Sequence, residues 1–380
     1  MITVRPGSHT HRLLHLLSTT REVPTSVLSL LGNERVIASL VHKLELVQDF
    51  RVDKNGPVLH IRLLQVSGRR AKRTIRLSKR GLPVLEWLYS GSLNWYLSAY
   101  KSNNVSGDQY HIWRNHRVAE ALAMCMMADV EIRPYALPAL QKAVITKIIP
   151  NQPCFYAARD LKRISDDGAN KTMFTRVVGA LLTPGRCYAV YNTRDAVMKW
   201  SGQGEVKTVG HLLELVRMNA RLNEVSRAIL FGKSAQVALD TILESDKSRR
   251  ADLRFDKIFK TLYFVPLNQF GIRLLKLLIL PDWNEQLLSA LFNPTQRSYN
   301  RGTMEYDAVV DGRMILSHLD GDIARLIRFR EALNSNHEPA DVLCYPWQTE
   351  FLRAYLGKRA GIRELEMEAV ESVFKEEERT

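Results

Sequence analysis

Between Ser67 and Leu85 the chain carries seven cations, Arg69, Arg70, Lys72, Arg73, Arg76, Lys79 and Arg80, and no acid. Like charges this dense cannot be packed into a core, so the segment has to lie on the surface, where an anion would relieve the repulsion. A solubilising edge hairpin is the alternative, since edge strands are often guarded by Lys and Arg. The sequence just upstream favours the anion. Leu13, Leu14, Leu16 and Leu17 give an apolar face to a first helix, and Pro24 fits the first turn of a second, Thr25 to Leu31. Gly32-Asn33 breaks the chain, and Val36, Ile37, Leu40, Val41, Leu44 and Val47 then recur at helical spacing through about residues 33–50.

After these three helices, Val58 to Val66 and Arg73 to Leu77 flank a Ser67-Gly68 turn and predict a hairpin. Three helices followed by a basic hairpin is the order of a winged helix-turn-helix. In that arrangement the third helix enters the major groove and the hairpin, the wing, tracks phosphates or a minor groove. Arg35, Ser39, His42 and Lys43, off the apolar face of the third helix, are the candidates for reading bases. The stretch Leu77-Ser-Lys-Arg-Gly-Leu-Pro-Val-Leu85 resembles the L-T-x-x-G-x-x-x-L segment that leaves the wing in many such proteins.

Charge distribution agrees: residues 1–90 hold 15 Lys and Arg against 6 Asp and Glu, in a chain of net charge +14. Such an excess commonly marks partners of polyanions. A composition of 46% hydrophobic and 25% charged residues excludes wholesale disorder. The four cysteines form no C-x-x-C pair, no secretory signal opens the chain, and Thr261 to Leu280 carries Arg273 and Lys276 inside its apolar run. A cytoplasmic protein with no membrane partner is expected.

Four segments are expected: a winged-helix domain over 1–100, a linker and connecting helix over 101–150, a mixed α/β domain over 151–360, and an acidic tail over 361–380 that forms a solvated helix or frays. Met124, Met126 and Met127 in the connecting helix read as packing residues. Strands are expected at Arg176–Leu182, Cys187–Tyr191, Ala228–Phe231, Lys260–Val265, Tyr306–Val310, Met314–Ser317 and Val342–Tyr345, with helices between them.

Three patterns suggest chemistry. Ile229-Leu-Phe-Gly-Lys-Ser234 approaches a phosphate loop but has Arg227 where the first glycine is needed, so no nucleotide hydrolysis is expected. His9, His11 and His15 lack Cys or carboxylate partners and read as solvated side chains in a flexible terminus and a helix. Asp195 followed by Glu205-Val206-Lys207 imitates the Asp and Glu-x-Lys of metal-dependent nucleases, in which two carboxylates hold the ion and the lysine steadies charge on the attacked phosphate. So short a pattern arises easily by chance.

The run Phe174-Thr-Arg-Val-Val-Gly-Ala-Leu-Leu-Thr-Pro-Gly-Arg-Cys-Tyr-Ala-Val-Tyr-Asn-Thr-Arg-Asp-Ala-Val-Met-Lys-Trp200 resembles the replication-relaxation family of plasmids and conjugative elements, as does the order of winged helix and α/β half. The resemblance implies an accessory protein that binds double-stranded DNA at an origin of transfer or replication, with a relaxase or other mobilisation protein as partner. It also implies a restriction-endonuclease-like fold for the second domain. Val178-Gly179-Ala180 and Val190-Tyr191-Asn192 stand where the carboxylates of that fold would be, so a non-catalytic factor with no cofactor is expected. The competing readings are a nuclease or nicking enzyme using Asp195, Glu205 and Lys207, and a winged-helix transcription regulator.

Overall fold

The computed structural model describes residues 2–51, 56–69, 72–100, 109–132, 134, 152–164, 176–198, 200, 202–220, 222–247, 251–298, 305–335 and 338–377. Of the sequence expectations, Arg70, half of the 101–150 segment and the ends of the acidic tail and of the 174–200 run lie outside these residues. The fold is mixed α/β with several sheets, and contacts divide it into two units, Met1–Gly185 with Leu215–Arg221, and Arg186–Glu214 with Leu222–Thr380.

In the first unit, Ser8 caps helix α1 (His9–Thr19), and the four expected leucines are its buried face. Strand β2 (Val23–Pro24) follows β1 (Ile2–Thr3), and a tight turn, Thr25–Val27, leads into α2 (Leu28–Leu31). Pro24 therefore sits in a strand, paired with Thr74, rather than inside the first turn of a helix. Its fixed φ suits that edge position, where no N–H is required. The Asn33 side chain accepts from Arg35 N (3.1 Å) and Val36 N (3.4 Å), and so starts α3 (Glu34–Glu45).

Helix α3 stops at Glu45, earlier than the periodicity predicts. Leu46 and Val47 continue the apolar pattern but are each 53% exposed, and the next residues form β3 (Gln48–Arg51), paired parallel to β1 and antiparallel to β4 (Leu59–Ile61). The strand expected over Val58–Val66 is likewise two strands in different sheets. Leu63 breaks it: its N–H donates to Leu44 O (3.1 Å) and its carbonyl accepts from Ser78 N (2.9 Å). Beyond that break, β5 (Leu64–Ser67) and β6 (Thr74–Leu77) make the expected hairpin, and β6 also pairs with β2. The hairpin turn requires glycine at 68, where φ is +83° and a Cβ would overlap the Lys72 carbonyl oxygen.

Helices α4 (Val84–Leu88), α5 (Ser92–Ala99) and α6 (Gln109–Met127) complete the helical layer. Helix α6 is pinned to the first helices by a buried His116 Nε2 to Glu22 Oε1 contact (3.1 Å) and by Ser26 Oγ donating to Glu120 Oε1 (3.0 Å). Met124 is fully buried there, with Met126 and Met127 half-buried. Strand β7 (Cys154–Ala157), absent from the sequence reading, leads into α7 (Ala158–Ile164) and pairs antiparallel with β8 (Gly179–Thr183).

The second unit follows the expected alternation closely. Strands β9 (Arg186–Arg194), β10 (Arg227–Gly232) and β11 (Thr261–Pro266) run parallel with β10 in the middle, and α8 (Gln203–Ala220), α9 (Ala235–Asp246) and α10 (Phe255–Ile258) lie between them in sequence. Helices α11 (Gln269–Leu278) and α12 (Trp283–Leu291) lead to a second sheet. In it β12 (Ala308–Val310) is antiparallel to β13 (Arg313–Ser317), while β13, β14 (Ala340–Cys344) and β15 (Ala360–Glu364) are parallel through α13 (Ile323–Ser335) and α14 (Thr349–Leu356). Parallel strands need such crossovers, and the buried runs of β10 and β11 are apolar on both faces as a covered sheet demands.

The acidic end begins with the strand β15 over residues 360–364 and continues as the helix α15 (Met367–Glu377), which buries Met367 and Val370; Glu366 and Glu368 are exposed. Glu368 and Glu371 both bind Arg273, a partner distant in sequence that composition could not reveal.

Candidate nucleic-acid interface

Successive helical residues turn by about 100°, so a twelve-residue helix can bury one stripe and offer the opposite one. Ile37, Val41 and Leu44 are the buried stripe of α3. Arg35, Ser39, His42 and Lys43 are all exposed, within an arc of about 100° on the other side. Val36, expected to face the core, is 52% exposed beside them.

The hairpin supplies the second part. Arg69, Lys72 and Arg73 are exposed at its turn, and Lys79 and Arg80 are exposed just beyond β6. Arg76 is half-buried and donates to Gln65 Oε1 across the hairpin (3.1 Å), so it braces the strands more than it extends from them. The hairpin is tied to the end of α3: Val66 N donates to Glu45 Oε1 (3.1 Å), next to the Leu63–Leu44 bond already described. Helix face and cationic turn are thus parts of one rigid body.

The histidines of α1 are not solvated in a flexible terminus. His9 begins the helix, His11 Nε2 meets Tyr89 Oη at 3.2 Å, and His15 Nε2 bonds to Ile132 O at 2.9 Å. Burial pushes the His11 pKa down, helped by the Arg12 charge. These rings hold α1 against its neighbours, and among the described residues no group of three His, Cys, Asp or Glu is arranged to hold a metal.

Asp195, Glu205 and Lys207 differ in their surroundings. Asp195 is exposed and accepts from Lys233 Nζ (2.8 Å), whereas Glu205 is buried and Lys207 exposed. Glu205 and Lys207 lie two apart on α8, and such positions point away from one another, unlike the same spacing on a strand. Lys233, from the imperfect phosphate loop, is the cation Asp195 binds.

Gly179 opens β8, where an added Cβ would overlap the Phe155 ring and the Tyr156 carbonyl oxygen. Asn192 is buried in β9, its Oδ1 accepting from Arg194 N (3.1 Å). The two positions where the family resemblance looks for carboxylates are thus one occupied by a neighbour's ring and one committed to its own backbone.

The sequence reading missed a buried charged cluster in the second unit. Asp307 accepts from Arg325 (2.8 Å) and from Ser317 N (2.7 Å), and Asp320 Oδ1 accepts from Asp322 N (2.9 Å). One oxygen of Asp322 accepts from Leu262, Ala324 and Arg325 N–H groups at 3.0–3.1 Å. The signal available was Ser317-His-Leu-Asp-Gly-Asp322, two acids around a glycine directly after a strand. Burial, then the Asp322 charge, pushes the Asp320 pKa up to about 7, while burial and Arg325 push His318 down to about 3.

A raised carboxyl pKa means that the native state holds its proton through a pH range where the unfolded chain has released it. Asp320 therefore contributes stability that is complete below about 4 and is lost as pH rises to about 7. His318 contributes the opposite slope between about 3 and 6.5, so the wild-type curve alone does not isolate Asp320. The difference between wild type and Asp320→Asn does. In urea titrations from pH 4.5 to 7.5, Asp320→Asn should gain stability relative to wild type as pH rises, and a pH-independent difference would mean that Asp320 does not titrate in this range.

Among the described residues no helix is long and apolar enough to cross a membrane, and the four cysteines are free and buried. Compared with known protein families, with curated proteins and with solved structures, the chain matches none.

Proposed function

We propose that the chain binds duplex DNA through its first unit, with α3 as the recognition helix in the major groove and the β5–β6 hairpin as a phosphate-gripping wing. The observation that carries the reading is the exposed Arg35, Ser39, His42 and Lys43 face on a helix bonded at its C-terminal end to a hairpin tipped with Arg69, Lys72 and Arg73. Helices α1, α2 and α3 followed by the β5–β6 hairpin, with β6 between β2 and β5, support the winged helix-turn-helix reading, to which the β1-β3-β4 sheet is an addition. The second unit is an assembly surface rather than a nuclease in this reading, which the divergence of Glu205 and Lys207 supports. Following the sequence resemblance to the replication-relaxation family, we propose an origin of transfer or replication as the DNA site and a relaxase or mobilisation protein as partner.

Selection from a random duplex library, followed by titration of an enriched and an unrelated duplex, tests this. A variant with Arg35, Ser39 and Lys43 changed to Ala should lose at least tenfold more affinity for the enriched duplex, since each good bidentate base contact is worth about 1–3 kcal/mol. Equal losses on both duplexes would remove α3 from the recognition role. Failure of the wild type to hold any duplex at low salt would sink the proposal itself.

A further inference from the structure

One surface of the first unit is used by neither α3 nor the wing. Over its first ten residues, Gln109 to Val118, α6 has no acid. Tyr110 is 68% exposed and Trp113 is 50% exposed, although large aromatic side chains are ordinarily the first to be buried. Positions 110, 113, 114 and 117 share one helical face, so the two rings and the half-buried Arg114 and Arg117 form a single stripe. His116, Ala119 and Ala123 lie on the side packed inside the unit, and Glu120, three residues after Arg117, ends the stripe as a buried acid bonded to Ser26.

The positive charge of this stripe continues onto α7. Arg159 and Lys162, one helical turn apart, are close enough that Arg159 lowers the pKa of Arg114 and Arg114 lowers that of Lys162, in each case after burial. Arg159 lies over the Tyr100 ring, 4.4 Å from its centroid, which fixes its position. Exposed rings followed by cations along one helix face are what single-stranded nucleic acids use: bases stack on the rings and phosphates follow the cations, largely independently of sequence. A protein partner would suit the rings but would gain little from four cations set close together.

We propose that Tyr110, Trp113, Arg114 and Arg117 of α6, extended by Arg159 and Lys162 of α7, form a binding platform for single-stranded DNA, separate from the duplex-binding surface. Bases stack on Tyr110 and Trp113. The inference stands independently of the duplex reading and gives the first unit two nucleic-acid surfaces.

The test uses the full chain with fluorescent oligothymidylate of 20 nucleotides, which has no duplex structure, and in parallel a 20-bp duplex. The Tyr110→Ala/Trp113→Ala variant should bind oligothymidylate at least tenfold more weakly and the duplex within twofold of wild type. Trp113→Phe, which keeps a stacking face, should retain most of the binding. Photo-crosslinking of 5-iodouracil oligonucleotide to the wild type should label Tyr110 or Trp113, a readout that needs no variant to fold. The proposal is overturned by unchanged oligothymidylate binding in the double alanine variant, by crosslinks confined to the wing, or by a change of oligomeric state in that variant with no change in DNA binding. If the wild type binds the duplex but not oligothymidylate, the platform falls and the duplex reading remains; if only oligothymidylate binds, the reverse holds.

Discussion

Changing Arg69, Lys72 and Arg73 together to Ala should flatten the dependence of log affinity for duplex DNA on log salt by between two and three. Each phosphate neutralised releases condensed counterions and contributes about 0.9 to that slope. All three side chains are exposed at a turn whose shape Gly68 enforces, so they can reach a phosphate backbone without rearrangement. Between 50 and 200 mM salt the wild type should then lose about fortyfold more affinity than the variant. The control is Lys358→Ala/Arg359→Ala, which removes two exposed cations from the second unit and should leave the slope unchanged. A triple variant with the wild-type slope would show that the hairpin is not the contact, and an equally flattened control would show that only net charge matters.

Arg325→Met should cost about 3–5 kcal/mol of stability, or roughly 10 °C in the Tm of the second unit. Arg325 and Asp307 bond at 2.8 Å with side chains 14% and 7% exposed, so little water is available to replace the guanidinium. Its loss leaves Asp307 charged and buried beside Asp320 and Asp322, whose carboxyl groups are already pushed toward protonation by burial. Adding Asp307→Asn should restore part of the loss, since the amide oxygen still accepts from Ser317 N while the unpaired charge is gone. Thermal unfolding of the two variants decides: a double variant no more stable than Arg325→Met would mean that the ion pair is not what holds this region.

What the sequence made legible was local and periodic. The strands and helices of the second unit announced themselves through apolar runs broken by turns, and α3 through its 3.6-residue spacing after the Gly32-Asn33 break. What it concealed depended on partners far along the chain. Nothing in Leu46-Val47 says that β1, at the opposite end of the domain sequence, captures the next residues as a strand. Val58–Val66 has an unbroken strand pattern, and only the bonds from Leu63 to Leu44 and Ser78 divide it. That Glu371 of α15 is paired was hidden because its partner Arg273 lies nearly a hundred residues upstream. The candidate interface residues were readable for the opposite reason: Arg69, Lys72 and Arg73 stand out in the sequence as a local excess of cations without acids, and all three are exposed.

The packing around Gly179 also bears on how this chain can change. Glycine codons are one base away from acidic codons, so an acid at 179 is reachable by a single base change. Phe155 and the Tyr156 carbonyl already occupy the place its side chain would need. Trimming Phe155 would remove only the ring, at the cost of a void in a close-packed region, and would leave the Tyr156 carbonyl, a backbone group that no substitution removes. A carboxylate here therefore demands a shift of the β7 backbone as well as a new side chain, and the β7–β8 packing keeps the position committed to a structural role.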